Sequence, residues 1–336
     1  MNGPDRAQLE AFLLEAGLAA PGERQVWSLL PGGVSAEVWK VEAGGRTFCV
    51  KRALARLRVK ADWRAPVARI RHERAWLDFA REVIEGSAPR PLAFDEDRLV
   101  LAMEWLEPQS HPLWKARLLA GNVDPAFAGK VGASLSRLHA ASAARPKLAE
   151  AFATDAAFFA LRLDAYLLEA GRRNPQAKRR LARLVRTTAA TRLALVHGDV
   201  SPKNILIGPS GPVFLDAETA WWGDPAFDLA FCLNHLLLKH LAVPAVSAAL
   251  AASFRELARA HLSGVDWEPP DALEARAAAL LPGLLLARVD GKSPVEYLDP
   301  DQQALVRAIA LELLDKTPDR LEAVLAAFGE GLDRKR

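Results

Sequence analysis

The stretch His197-Gly198-Asp199-Val200-Ser201-Pro202-Lys203-Asn204, running into Ile205-Leu206-Ile207 and then into Phe214-Leu215-Asp216-Ala217-Glu218, is the densest polar cluster in the 336-residue chain. It reads as a Pro- and Gly-containing loop between short apolar runs at 193–196 and 213–215, which predict two brief strands. Loops pinned by such strands are where chemistry commonly collects. Outward in both directions the sequence is rich in Ala, Leu and Arg. Apolar spacing predicts helices over 126–141 and 155–171 and a mostly helical remainder from Pro225 to the basic tail at 333–336.

Further upstream the pattern changes. A short helix is expected over 4–19. Val26, Trp27, Val38, Trp39, Val41, Phe48 and Val50 then alternate around Gly32-Gly33 and Gly44-Gly45, as antiparallel hairpins do. Residues 66–84 carry Val67, Ile70, Trp76, Leu77, Phe79 and Ala80 at the spacing of an amphipathic helix, and 98–106 reads as another strand. Beyond Pro108 the strand signal fades. At roughly 150 residues per domain the length predicts about two domains, and these patterns divide the chain into an N-terminal part, 1–106, and a helical part, 107–336. The fold class is therefore α+β: a small antiparallel sheet followed by a larger, mainly helical region.

Composition excludes several classes. Hydrophobic residues at 51% and charged residues at 25% are those of a folded globular chain. Forty-four Lys plus Arg against 41 Asp plus Glu leave a net charge of only +3, too little to point to nucleic acid. Cys49 and Cys232 stand far apart in apolar runs, arguing against a disulfide framework or a cysteine metal site. The longest membrane candidate, 227–242, is interrupted by Asp228, Asn234, His235, Lys239 and His240. The N-terminus lacks a basic region and apolar stretch of the signal-peptide kind. No membrane partner and a cytoplasmic location are the expectations; oligomeric state is not legible.

The loop's chemistry is more specific. Phosphoryl transfer needs a carboxylate to orient an attacking hydroxyl and accept its proton, and separate oxygen ligands for the Mg2+ on the nucleotide phosphates. Asp199 fits the first role; Asn204, Asp216 and Glu218 fit the second. The spacing Asp-x4-Asn, with a further Asp seventeen residues beyond Asp199, is that of a kinase catalytic loop and its metal-binding Asp. The upstream half holds the remaining parts. Gly32, Gly33 and Ser35 form a Gly-containing turn suited to enclosing phosphates, and Lys51 ends an apolar strand where it can meet them. Glu73, on the next helix, suits the ion pair that positions Lys51. Glu104 and Leu106 end the last strand where a hinge should present backbone groups to adenine.

With these parts in place the chain resembles the aminoglycoside phosphotransferase and small-molecule kinase superfamily over roughly residues 25–245. HGDVSPKNIL (197–206) is similar to that superfamily's HGD-x4-N loop, and Gly223-Asp224-Pro225-Ala226-Phe227-Asp228-Leu229-Ala230 to its GDPxxDLA segment. Asp216-Ala217-Glu218, the run 114–121 and Leu285-Leu286-Ala287-Arg288 look most like methylthioribose kinases, from which the chain departs in having Asn204. The resemblance implies a two-lobed protein-kinase-like fold and the cofactors ATP and Mg2+. It also implies a small-molecule hydroxyl acceptor such as methylthioribose or a related pentose, with His197 and Asp228 bracing the loop.

Alternatives stand beside each role. An aminoglycoside or amino-alcohol acceptor, or a non-catalytic nucleotide-binding pseudokinase, are the rival functions. Gly32-Gly33 also suits an ordinary hairpin, Asp216 and Glu218 a turn cap, and Glu73 an exposed helical charge. Trp222 suits either an acceptor pocket or the core. Arg288, Asp290 and Lys292 suit either acceptor binding or a plain helix C-terminus.

Overall fold

Alternation of buried and open positions builds the N-terminal sheet. The computed structural model describes residues 3–31, 33–58 and 63–334, so Gly32 of the anticipated turn lies outside the described residues. Strands β1 (Gln25–Leu29), β2 (Ala36–Ala43), β3 (Arg46–Ala53), β4 (Pro91–Asp95) and β5 (Val100–Glu104) pair antiparallel in the order β1-β2-β3-β5-β4. The β2–β3 turn is Gly44-Gly45, both at positive φ (56° and 71°), the tight hairpin geometry that glycine adopts without strain.

The two-residue period divides the sheet's faces. Phe48, Val50, Val100 and Ala102 pack on one side with Leu9, Phe12 and Leu13 of helix α1 (Gly3–Glu15). Leu101 and Met103 join the core formed with Ile70, Trp76 and Leu77 of helix α2 (Arg69–Val83) on the other. Lys51, in step with Cys49, therefore points to the α2 side, where the chemistry lies.

The helical lobe follows with α3 (Trp114–Leu119), α4 (Pro125–Ala143), α5 (Leu148–Ala151), α6 (Asp155–Phe158), α7 (Glu169–Arg173), α8 (Lys178–Ala190), α9 (Ala226–Ala242), α10 (Ser247–Leu262), α11 (Pro270–Asp290), α12 (Pro300–Lys316) and α13 (Leu321–Asp333). Helix α9 is buried along almost its whole length, the core role that its interrupted apolar run suggested. Between α6 and α7 the anticipated single helix instead widens into a π-helical segment, Phe159–Leu168, a geometry often found at functional sites. Short two-stranded ribbons, β6 (Ala194–Val196) with β9 (Trp221–Gly223) and β7 (Ile205–Ile207) with β8 (Pro212–Phe214), carry the polar loop between them. Among the described residues no single helix is long and apolar enough to cross a membrane. The molecule is thus a two-lobed α+β protein.

Candidate active site

Strand β6 delivers His197, and Gly198 reverses the backbone at φ 80°; a Cβ there would lie 2.7 Å from the Thr219 carbonyl oxygen, so only glycine fits. Asp228, from α9, accepts the backbone N–H groups of His197 (2.7 Å) and Gly198 (2.8 Å), and its carboxylate lies 3.2 Å from a ring nitrogen of His139. The His197 ring is fully engaged. Nδ1 accepts the Asp199 N–H at 3.1 Å and Nε2 donates to the Leu215 carbonyl at 3.1 Å. Burial pushes its pKa down against nearby carboxylates, chiefly Asp228. A neutral imidazole that donates once and accepts once braces the loop and has no capacity left for proton transfer.

Asp199 is held differently. It is only 3% exposed, and its Oδ2 lies 3.0 Å from Arg162 Nη2 and 3.1 Å from Lys203 Nζ. Burial alone would raise its pKa, but Lys203 and Arg162 outweigh burial and hold it below the usual carboxylate range. Its Oδ1 is buried with no hydrogen-bond partner. An ionised carboxylate with one oxygen anchored and the other unmatched is disposed to accept a hydroxyl proton. Arg162 stands on the π-helical segment and also donates to the Gly198 carbonyl at 2.5 Å, so one guanidinium fixes both loop backbone and carboxylate.

A second cluster faces it. Lys51 Nζ lies 2.7 Å from the Glu73 carboxylate and 2.5 Å from Asp216 Oδ1, so Glu73 is a buried partner and not an exposed helical charge. Asp216 adopts φ 65°, uncommon for a residue other than glycine and a conformation that clusters at functional sites. Burial opposes charge on Lys51, yet Asp216 and Glu73 keep its ammonium protonated, while Lys51 and Lys203 hold the Asp216 carboxyl well below its ordinary value. Glu73 goes the other way: burial first, then Asp216 and Glu218, push it up to about 7 against the pull of Lys51.

Glu73, Asp216 and Glu218 each present an oxygen within 4.8 Å of the others, a hard-oxygen set of the kind Mg2+ takes. Asn204 donates through Nδ2 to the Asp199 carbonyl at 3.0 Å, leaving its oxygen for a ligand. Glu218 is partly committed, because Arg69 Nε donates to it at 2.9 Å. The same guanidinium reaches the carbonyls of Ser35 (2.5 Å), Leu54 (2.9 Å), Ala65 (3.2 Å) and Pro66 (2.9 Å), tying the segment at Ser35 to α2 and to Glu218.

Between the lobes lies a cavity of about 380 Å3 lined by Gly33, Ser35, Lys51, Glu104, Leu106, Asn204 and Asp216. Its walls include Leu30, Val38, Met103 and Leu206, apolar surface for a flat ring. The Glu104 side chain turns away, accepting the Arg90 N–H at 2.7 Å, and its own N–H donates to the Arg90 carbonyl at 2.9 Å. Glu104 therefore contributes to this wall through its position at the strand end, with Leu106 following it. Glu218 does not line the cavity; it stands behind Asp216.

The remaining sequence candidates separate. Trp222, on β9, is 8% exposed and packs in the hydrophobic core, outside the lining of the cavity between the lobes, while its backbone N–H donates to the Phe152 carbonyl at 3.1 Å. Asp290 is consumed by Arg307 (2.7 Å from each carboxylate oxygen) and Asn174 (2.8 Å), which corrects the reading of it as an acceptor ligand. Lys292 Nζ stands 3.9 Å from Asp164. Arg288 is buried and donates to the Tyr166 hydroxyl at 3.1 Å. Arg69 and Arg162 were missed from sequence. The signals existed: Arg69 shares a helix face with Glu73, four residues on, and Arg162 interrupts the apolar run Leu161–Leu163.

The family model described as the Phosphotransferase enzyme family matches residues 26–239. No protein of curated function matches the chain in sequence. Among solved structures it is similar to an amicoumacin kinase bound to AMP-PNP, Ca2+ and amicoumacin (14% identity, 96% of this chain and 98% of that one, TM-score 0.57). It is also similar to a Plasmodium vivax ethanolamine kinase (12%, 88% and 84%, 0.55) and a choline/ethanolamine kinase family protein of Mesorhizobium loti (18%, 97% and 98%, 0.51). At such identities the likeness speaks to the fold, and the loop, the cation-and-carboxylate cluster and the family match agree: the chain belongs to the phosphotransferase enzyme family.

Proposed function

We propose that the protein moves the γ-phosphate of ATP to a hydroxyl of a small metabolite, with Asp199 as the base. The observation that carries this reading is the unmatched Asp199 Oδ1 on a carboxylate kept ionised by Arg162 and Lys203. The acceptor oxygen attacks phosphorus, the bond from phosphorus to the bridging β–γ oxygen breaks, ADP leaves, and the hydroxyl proton passes to Asp199. Asp216 and Asn204, which reach the cavity, would hold Mg2+ with the uncommitted oxygen of Glu218 behind them, and the ion would supply positive charge to neutralise that of the phosphates. Lys51, held by Glu73, meets the phosphates under the segment of Gly33 and Ser35, and the hinge at Glu104–Leu106 takes the adenine. The lobes divide near residue 107.

For the acceptor, a sugar of the methylthioribose or pentose kind fits the motif likeness at 216–218 and 285–288. A cationic aminoglycoside or amino alcohol would call for unpaired carboxylates around Arg288, whereas Asp290 is already paired with Arg307. A non-catalytic pseudokinase would be expected to lack one of Lys51, Glu73, Asp199, Asn204 or Asp216, and all five stand in place. The test is ADP release from Mg-ATP with pooled sugars, sugar acids, amino alcohols and aminoglycosides. Release that depends on one pool and is lost in Asp199→Asn supports the reading; no nucleotide binding at all overturns it.

A further inference from the structure

Helix α9 presents His235 and Lys239, one turn apart, toward Arg288 of α11 and Tyr297. Lys239 is 1% exposed, yet Nζ has only the Tyr297 hydroxyl and the His235 carbonyl, each at 3.5 Å, and the Tyr297 ring at 4.9 Å. Arg288, 6% exposed, has neutral partners only: the Tyr166 hydroxyl at 3.1 Å and Ser293 Oγ at 3.4 Å, with Nε unpartnered. His235 Nε2 is buried and unpartnered as well. Two buried cations without a carboxylate partner among the described residues are costly unless something negative joins them. Burial, with the charges of Lys115 and Arg288, drives Lys239 down to about 7, and burial with Arg288, Lys239, Lys203 and Lys115 keeps His235 neutral. The neighbouring acids are taken: Glu296 by Lys115, Asp164 by Arg172, Asp290 by Arg307.

This cluster adjoins the base. Tyr166 has both guanidinium groups, Arg162 and Arg288, 5.6 Å from its ring centre, and Arg162 holds Asp199. Lys203, 46% exposed in its side chain and 3.1 Å from Asp199, also acts on His235. The Tyr166 ring thus stands between Arg162, which holds the proton acceptor, and Arg288 of the unmatched group.

Building on the phosphotransferase reading, we propose that the acceptor is a hydroxylated compound carrying an anionic group, carboxylate or phosphate, received by Arg288, Lys239 and His235 while its hydroxyl meets Asp199. The unpartnered Arg288 Nε–H and the Nε2–H of the neutral His235 tautomer are donors that such a group accepts, and charge-assisted bonds to a guanidinium are the strong kind.

The full chain saturated with Mg-ADP is titrated calorimetrically, at constant ionic strength, with D-ribonate, D-ribose 5-phosphate, D-ribose and choline. At least one anionic probe is expected to bind tenfold or more tightly than ribose or choline, and whichever binds names carboxylate or phosphate. Arg288→Gln and Lys239→Met, examined separately because either site could affect packing, are each expected to weaken that probe tenfold or more while Mg-ADP affinity stays. Ribose or choline binding as tightly, no binding of either anion, or anion affinity unchanged in both variants overturns the proposal. A chain that binds Mg-ADP but shows one of those results loses only the anionic acceptor; failure to bind Mg-ADP removes the kinase reading itself.

Discussion

Replacing Asp228 with alanine should damage the protein more than any other single truncation in α9. Its side chain is fully buried and accepts three contacts: backbone N–H groups of His197 and Gly198, at 2.7 and 2.8 Å, and a His139 ring nitrogen at 3.2 Å. Stranding a buried donor costs about 1–3 kcal/mol, so the two backbone groups alone set a loss of roughly 2–6 kcal/mol. Relief from burying a carboxylate offsets part of this, leaving about 4 kcal/mol, or roughly a thousandfold in the folded-to-unfolded ratio. Asp228→Asn keeps one acceptor oxygen and should lose about half as much. Urea unfolding followed by tryptophan fluorescence and by circular dichroism reads both variants, and the two signals together report whether the lobes unfold as one. Turnover should fall in step, because the same bonds fix the backbone on which Asp199 stands. An Asp228→Ala protein within about 1 kcal/mol of wild type would show that α9 does not brace the loop.

Other outcomes follow from the same geometry. Because Asp199 is held below the ordinary carboxylate range, its own acid limb in the kcat profile should lie below that range, beneath the limb near 7 that protonation of Glu73, the partner of Lys51, produces. The stability that its ionised form contributes is present above the unfolded value and is lost only as pH falls through the lower folded value. Arg162→Gln removes one of the two cations on Asp199 and should move the acid limb of the kcat profile upward; an unchanged limb with reduced kcat would mark Arg162 as merely structural. Lys51→Met should lower kcat by a hundredfold or more, since Glu73 and Asp216 lose the cation between them and the phosphates lose theirs; an unaltered steady-state rate would remove Lys51 from the mechanism. Lys239 titrates at about 7 in the folded protein against 10.5 ordinarily, so the unfolded chain holds the extra proton between those values and wild-type stability should rise with pH across that window. Lys239→Met should abolish this slope and be the more stable protein at pH 7, as urea midpoints at pH 7 and 9 would show.

Much of the site was legible because phosphoryl transfer demands particular groups at particular spacings. Lys51, Glu73, Asp199, Asn204 and Asp216 converge although 165 positions separate the first from the last, since Lys51 stands on an apolar strand, Glu73 on the buried face of the next helix, and the other three in the polar loop that short strands flank. The sheet followed from period-two alternation and Gly44-Gly45. What was illegible were features set by tertiary contact. β4 and β9 are too short or too irregular to carry a period. The π-helical widening at 159–168 leaves no mark in the apolar spacing, and with it Arg162's approach to Gly198 and Asp199 was hidden. Asp290 looked as available as Arg288 because sequence does not show that Arg307, on the next helix, closes on one and leaves the other.

The most direct test of the central claim is phosphorus NMR of the reaction mixture with Mg-ATP and the acceptor that supports ADP release. Wild-type protein should convert the γ-phosphate resonance into a new phosphomonoester in equal amount to the ADP formed, and Asp199→Asn should give neither on the same time scale. Free phosphate without an ester, or an Asp199→Asn protein that forms the ester as fast as wild type, would contradict the account.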